Sequence, residues 1–236
     1  MIANKRKRLY RAASVVECGG GYAVALDDAV LKTPAGMDVV VPGRALAQAI
    51  ADEWQAQGSD IDPATMPLTR LANSAIDRIA ASREGAIKSL AAYAESDLLC
   101  YRADEPPELV TAQNEAFQPL LDWVSQRFGA EFNITSGIMP VAQPRAAVSA
   151  LTKAIAAFDD MMLAALGLAT ISCGSLVLAL ALAEGRVGAE EAAALAETDE
   201  LYQAGRWGFD PAYVGRHELV VRDIASAARF MELCRA

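Results

Sequence analysis

Apolar positions follow two periods along this chain. Between Tyr22 and Leu26, Tyr22, Val24 and Leu26 alternate with Ala23 and Ala25, the period-two pattern of a strand with one buried face. Turn residues at Gly19-Gly20-Gly21, Asp27-Asp28 and Pro34-Ala35-Gly36 set this run apart from Leu9 to Val16, Val30 to Thr33 and Met37 to Val41. That spacing predicts a small antiparallel meander. From Arg44 the period becomes helical: Leu46, Ile50 and Trp54 recur every four residues as far as Gln57, and Gly58 supplies the stop. Further helices are predicted over Pro67 to Ile79, with a proline in its first turn, and over Arg83 to Glu95, capped by Ser82.

The acidic stretch Ala103 to Glu108 holds two prolines, which cannot continue a helix. It marks the expected boundary between a small mixed α/β domain at 1–104, of antiparallel strands plus helices, and an all-helical domain at 105–236. The fold class is therefore α+β. Beyond the boundary, helices are expected at Leu109 to Phe128, Pro144 to Leu166, Ser172 to Ala183, Ala189 to Ala204 and Pro211 to Arg235. A short extended piece is expected at Glu131 to Ile134, and Asp210 should cap the last helix with Pro211 in its first position.

Met161 to Ala183 contains no charged residue and is long enough to span a bilayer. Its middle, however, holds Gly167, Thr170, Ser172, Gly174 and Ser175, and its flanks Asp159, Asp160 and Glu184 offer no cationic or aromatic belt. The expectation is two helices meeting near Thr170 to Gly174, the second buried on all sides in a helical core and not inserted in a membrane.

Charge and composition narrow the function. Against 21 Lys and Arg stand 30 Asp and Glu, a net charge of -9 that repels phosphate backbones, so nucleic acid is not an expected partner. With 53% hydrophobic residues the chain is packed and not disordered. Four scattered cysteines without a CxxC pair fit a reducing compartment. Basic residues Lys5 to Arg8 precede a strand pattern, with no apolar secretion signal between them. The bacterial cytoplasm is the expected location.

Candidate chemistry is sparse. The single histidine, His217, excludes a pair of histidine metal ligands, and no nucleophile is tied to it by motif. The cysteines have apolar neighbours and read as small core residues. Gly19-Gly20-Gly21 is not followed by a helix and a lysine, so it is a hairpin and not a phosphate loop. Pairs such as Asp159-Asp160, Glu190-Glu191 and Asp199-Glu200 point apart on a helix and read as solvated faces. No set of groups meets the geometric demands of catalysis, and a small-molecule enzyme of unknown reaction is only the alternative reading. One helical stripe stands out. Arg70, Asn73, Ser74 and Asp77 line up opposite Leu68, Leu71 and Ile79, as either a solvated face or a contact face. Trp54, in register with Leu46 and Ile50, reads as core packing.

These residues resemble a family. Glu53-Trp54-Gln55-Ala56-Gln57-Gly58, then Ile61, Pro63 and Met66 to Asn73, is similar to the signature of the ATP-twelve chaperones, assembly factors for the F(1) head of ATP synthase. Lys32-Thr33-Pro34, Tyr93 with Asp97 to Arg102, Pro119 to Trp123, Gly174 to Leu180, and Asp199-Glu200 with Trp207-Gly208 follow in the same order. Gly205 departs from the pattern, which has an acidic residue two before the tryptophan. The resemblance implies a protein that binds the unassembled α subunit and shields its interface until β replaces it. It implies a mixed domain followed by a helical one, no nucleotide or metal cofactor, and a chain that is monomeric when free. A eukaryotic member would act in the mitochondrial matrix. The expected contact surface is Arg70, Asn73 and Asp77 on the first domain and Asp199, Glu200 and Trp207 on the second.

Overall fold

The computed structural model describes residues 7–137, 139–209 and 211–236, so the expected cap Asp210 lies outside the described residues. The chain forms two compact units. One takes in the chain up to Arg83 together with Asp160–Ala165 and Arg229–Ala236; the other comprises Glu84–Asp159 and Leu166–Ala228. The acidic segment at 103–108, where the sequence suggests a boundary, falls inside the second unit.

In the first unit, β1 (Ala13–Cys18) and β2 (Gly21–Leu26) form an antiparallel hairpin with Ala13 opposite Leu26 and Cys18 opposite Gly21. Gly19 and Gly20 make the turn. Gly21 has φ +138°, and a Cβ there would lie 2.3 Å from the Val41 carbonyl oxygen, so no other residue fits. β3 (Ala29–Val30) and β4 (Val40–Val41) both pair antiparallel with β2. β2 is thus the central strand, and Ala23, Val24 and Ala25 are all buried. This corrects the one-sided expectation: the alternating residue is alanine, which is as much at home under cover as valine. The outer runs are shorter than expected. Around Pro34 to Gly36 the chain is held by Thr33 N–H donating to Met37 O at 2.8 Å and by a Lys32–Asp38 ion pair at 2.5 Å.

The helix α1 (Arg44–Gln55) buries Leu46, Ala47, Ile50 and Ala51, while Trp54, expected in the same buried face, is only half-buried. After a 3₁₀ turn at Pro63–Thr65 comes α2 (Pro67–Ser74), which widens into a π-turn at Ala75–Ile79 and does not keep the regular pitch predicted there. Next come α3 (Arg83–Ala91), 3₁₀ turns at Ala92–Glu95 and Leu98–Cys100, and the two-residue strand β5 (Tyr101–Arg102).

The long α4 (Pro107–Phe128) ends at Gly129, whose φ of +68° stops the helix. No strand forms at Glu131 to Ile134, where an extended piece is expected; β6 (Thr135–Ser136) follows directly after it and pairs parallel with β5, so this mostly helical region carries a minimal ladder. The remaining helices are α5 (Arg145–Ala156), α6 (Asp160–Cys173), α7 (Leu176–Ala183), α8 (Ala189–Ala196), α9 (Thr198–Trp207) and α10 (Pro211–Arg235). Two expected helices are therefore each divided. The run 144–166 breaks before Asp160, a carboxylate suited to a helix first turn, and 189–204 breaks at Glu197, whose φ −114° and ψ 26° are not helical.

The uncharged run 161–183 also divides, as predicted, at Gly174 with φ +64°. Every residue of α7 is buried, and Ser175 caps it by accepting from Leu178 N–H at 3.0 Å. Among the described residues no helix is long and apolar enough to cross a membrane. Cys100 and Cys173 are buried, and burial pushes both thiols up to about 12. Cys18 departs from the expectation of a core cysteine. It is exposed at the end of the edge strand β1, where its Sγ donates to Gly21 O at 3.4 Å.

Candidate functional site

The first group of candidates lies on α2. Its N-cap position is Met66, whose side chain cannot accept a hydrogen bond from the first turn. Glu53 of α1 fills that role: its carboxylate accepts from Leu68 N–H at 2.7 Å, Thr69 N–H at 2.8 Å and the Thr69 hydroxyl at 2.7 Å. A negative charge there also suits the helix dipole. Burial pushes the Glu53 carboxyl up, against the pull of these bonds. Gln57 continues the seam, donating to Thr65 Oγ1 at 3.1 Å and accepting from Asp62 N–H at 2.8 Å. The two most distinctive blocks of the sequence therefore clasp each other and hold α2 at a fixed angle to α1.

With Leu68, Leu71 and Ala72 buried, the other side of α2 and its π-turn carries Arg70, Asn73 and Asp77. Arg70 is exposed and makes no ion pair among the described residues. Asn73 is half-buried, and its Oδ1 has no hydrogen-bond partner among the described residues. Asp77 accepts from the Thr33 hydroxyl at 2.6 Å and Ala35 N–H at 3.1 Å, which fastens the Lys32-Thr33-Pro34 turn to the helix. Trp54 is half-buried, edge-on to the Tyr10 ring at 5.8 Å, and its carbonyl accepts from the Tyr10 hydroxyl at 2.7 Å.

The second group lies on α9. Asp199 and Glu200 stand in its first turn; Asp199 Oδ1 accepts from Gln113 Nε2 at 2.6 Å, and Glu200 pairs with Arg216 at 2.9 Å. Trp207, at the other end of α9, is 77% exposed. Gly208, with φ +83°, then turns the chain to Phe209, which is 61% exposed. Phe209 stacks on Tyr213 at 5.7 Å and Tyr213 on His217 at 5.6 Å. The imidazole closes the column by bonding through Nδ1 to the buried Glu197 carboxylate. Sequence reasoning missed Phe209 and Tyr213, although their four-residue spacing from His217 was the available signal.

It also missed Asp97. This carboxylate is wholly buried and accepts from the Ser175 hydroxyl at 2.6 Å, Val177 N–H at 3.0 Å and Leu99 N–H at 3.1 Å. Burial pushes its pKa up, and the four hydrogen bonds that oppose it include one from Leu176 N–H. Among the described residues no three His, Cys, Asp or Glu side chains gather where a metal ion could sit.

Comparison with known proteins fits this architecture. The mitochondrial Atp12 protein of Schizosaccharomyces pombe is 25% identical over 235 residues, spanning 94% of this chain and 81% of its own. Atp12 from Paracoccus denitrificans, in its crystal structure, superposes with a TM-score of 0.93 at 40% identity over 97% of this chain and 98% of that one. An aspartate-to-lysine mutant of P. denitrificans Atp12p gives the same TM-score and coverage at 39% identity. The family model described as ATP12 chaperone protein matches residues 7–125, and with that match this chain belongs to the ATP12 chaperone family.

Proposed function

We propose that this protein binds the α subunit of the ATP synthase F(1) head before assembly and covers the surface at which that subunit meets β. Family membership makes it a chaperone. The observation that supports a protein client is the end of α9, where Trp207 and Phe209 stand in solvent on either side of Gly208. Exposed aromatic residues of this size are the commonest anchors of protein interfaces, because they bury a large area at little entropic cost.

A lone α subunit would expose apolar interface that is otherwise paired, and such a surface self-associates. Few anchors in a mainly polar, acidic setting give a contact strong enough to cover it and weak enough to yield to β. Arg70, Asn73 and Asp77 on α2, with Asp199 and Glu200 on α9, complete the proposed contact residues. The chain is monomeric when free, in the bacterial cytoplasm or in the mitochondrial matrix of a eukaryote, and the reading needs no cofactor.

Co-expression of the α subunit with this protein tests the reading. The α subunit is expected to stay unaggregated and to elute with the chaperone, and Trp207→Ala should weaken that capture about tenfold or more. Failure of the wild-type protein to capture α, or α that stays unaggregated alone, overturns it.

A further inference from the structure

A cleft of about 510 Å³ opens in the second unit beside β5, α4 and the first turn of α9. Two of its polar lining residues are buried, Gln113 at 3% and Arg102 at 4% exposed. Arg102 has no carboxylate partner among the described residues. Its Nε donates to Asn114 Oδ1 at 2.9 Å, its Nη1 to the carbonyls of Leu99 at 2.6 Å and Tyr101 at 3.1 Å, and its guanidinium lies over the Phe117 ring at 5.0 Å. The remaining nitrogen, Nη2, is buried and has no hydrogen-bond partner among the described residues. Buried donors of native proteins are almost always paired, so an unpaired one on a residue that lines a cleft calls for an acceptor.

Three carboxylates also line the cleft. Asp104 and Glu105 are exposed and form no ion pair among the described residues, and Asp199 has one oxygen held by Gln113. Asp104 lies so close to Gly137 that a Cβ there would come within 2.6 Å of its Oδ2. An anion would face all three carboxylates, and a bare metal ion would face the guanidinium. A basic residue within a polypeptide satisfies both: its cationic head meets the carboxylates and its main-chain carbonyl meets Nη2. Its aliphatic stem can lie along Leu98, Tyr101 and Phe117. The net charge of -9 further favours a basic partner segment.

We propose that this cleft receives an arginine or lysine side chain of a partner protein, with Asp104, Glu105 and Asp199 taking the cation and Arg102 Nη2 taking the neighbouring main-chain carbonyl. The proposal deepens the chaperone reading and rests on it only for the identity of the partner.

Titration of the ¹⁵N-labelled protein with N-acetyl-arginine N-methylamide tests the chemistry without a client. Saturable amide shifts are expected at Tyr101 to Glu105, Gly137 and Asp199, with N-acetyl-glutamate N-methylamide giving none. Asp104→Asn with Glu105→Gln, at exposed positions, should weaken the arginine probe about fivefold. Butylguanidine, which lacks the carbonyl, should bind more weakly than the arginine amide. Absence of saturation with the arginine probe up to about 100 mM, or equal shifts from the glutamate probe, overturns the cleft; equal binding of butylguanidine overturns the role of Arg102.

Capture of purified F(1) α subunit is the second arm, in which Asp104→Lys with Glu105→Lys should lower retention about tenfold. If the wild-type protein captures no α subunit while the arginine probe saturates, the client assignment fails and the cleft stands. If α is captured equally by both proteins and the probe does not bind, the cleft fails and the client stands.

Discussion

At the N-terminus of α2, a half-buried Glu53 receives two backbone N–H groups and a hydroxyl; at the N-terminus of α7, a wholly buried Asp97 receives Val177 N–H, Leu99 N–H and the Ser175 hydroxyl. The inventory of bonds is alike, and both carboxylates are pushed up by burial. What differs is the alternative partner. Glu53 is half-buried and within reach of solvent, whereas Asp97 is wholly buried at the start of a helix that is itself buried along its whole length. A carboxylate at a helix start is a modest aid where solvent competes and a condition of folding where it does not.

The largest effect that follows is at Asp97. Asp97→Ala should lose about 3 to 5 kcal/mol, because several buried donors are left without a partner, and urea unfolding measures it. A smaller loss than at Glu53 would break the comparison. Glu53→Gln comes next, at about 1 to 2 kcal/mol, since the amide NH₂ faces N–H donors.

The pH dependence of that second loss sharpens the contrast. Burial holds the Glu53 carboxyl above its ordinary 4.5, so the folded protein takes up the proton before the unfolded chain does. Its contribution to stability is complete below 4.5 and is lost as pH rises through the folded value. The advantage of the wild-type protein over Glu53→Gln should therefore grow from neutral pH toward about pH 4.5 in paired urea titrations. An advantage that shrinks over that range would show that the hydrogen bonds outweigh burial.

The smallest effect leaves stability unchanged. With iodoacetamide near pH 8, Cys18 should react at once, while Cys100 and Cys173, whose thiols lie at about 12, should react only on unfolding. Mass spectrometry of the alkylated peptides reads this directly, and prompt labelling of Cys173 would mean that the core around α7 opens more readily than its burial implies.

Legibility in the sequence followed the range of the interaction. The face of α1 showed in the spacing of Leu46 and Ile50, the first hairpin in Gly19-Gly20, and the break before α7 in Gly174 and Ser175, because each depends on near neighbours. The tie from Asp77 to the turn at Thr33 spans 44 residues and that from Asp97 to Ser175 spans 78, so no local pattern announces either. The α9 candidates were found through the resemblance, whereas the cleft beside Asp199 draws on residues from Leu98 to Asp199 and becomes visible only when folded. Cys18 misled for a related reason. Its apolar neighbours belong to an edge strand whose outer residues face water.

Gly174 also bears on how the finished chain is read by machinery that sorts apolar segments. A helix rises about 1.5 Å per residue and the hydrocarbon core of a bilayer is about 30 Å thick. The 14 residues of α6 and the 8 of α7 each fall short of that thickness, although joined end to end they would exceed it. One left-handed glycine separates a stretch with the hydrophobic content of a membrane anchor from two short rods, and the serine after it commits the second rod to a carboxylate that lipid could not supply.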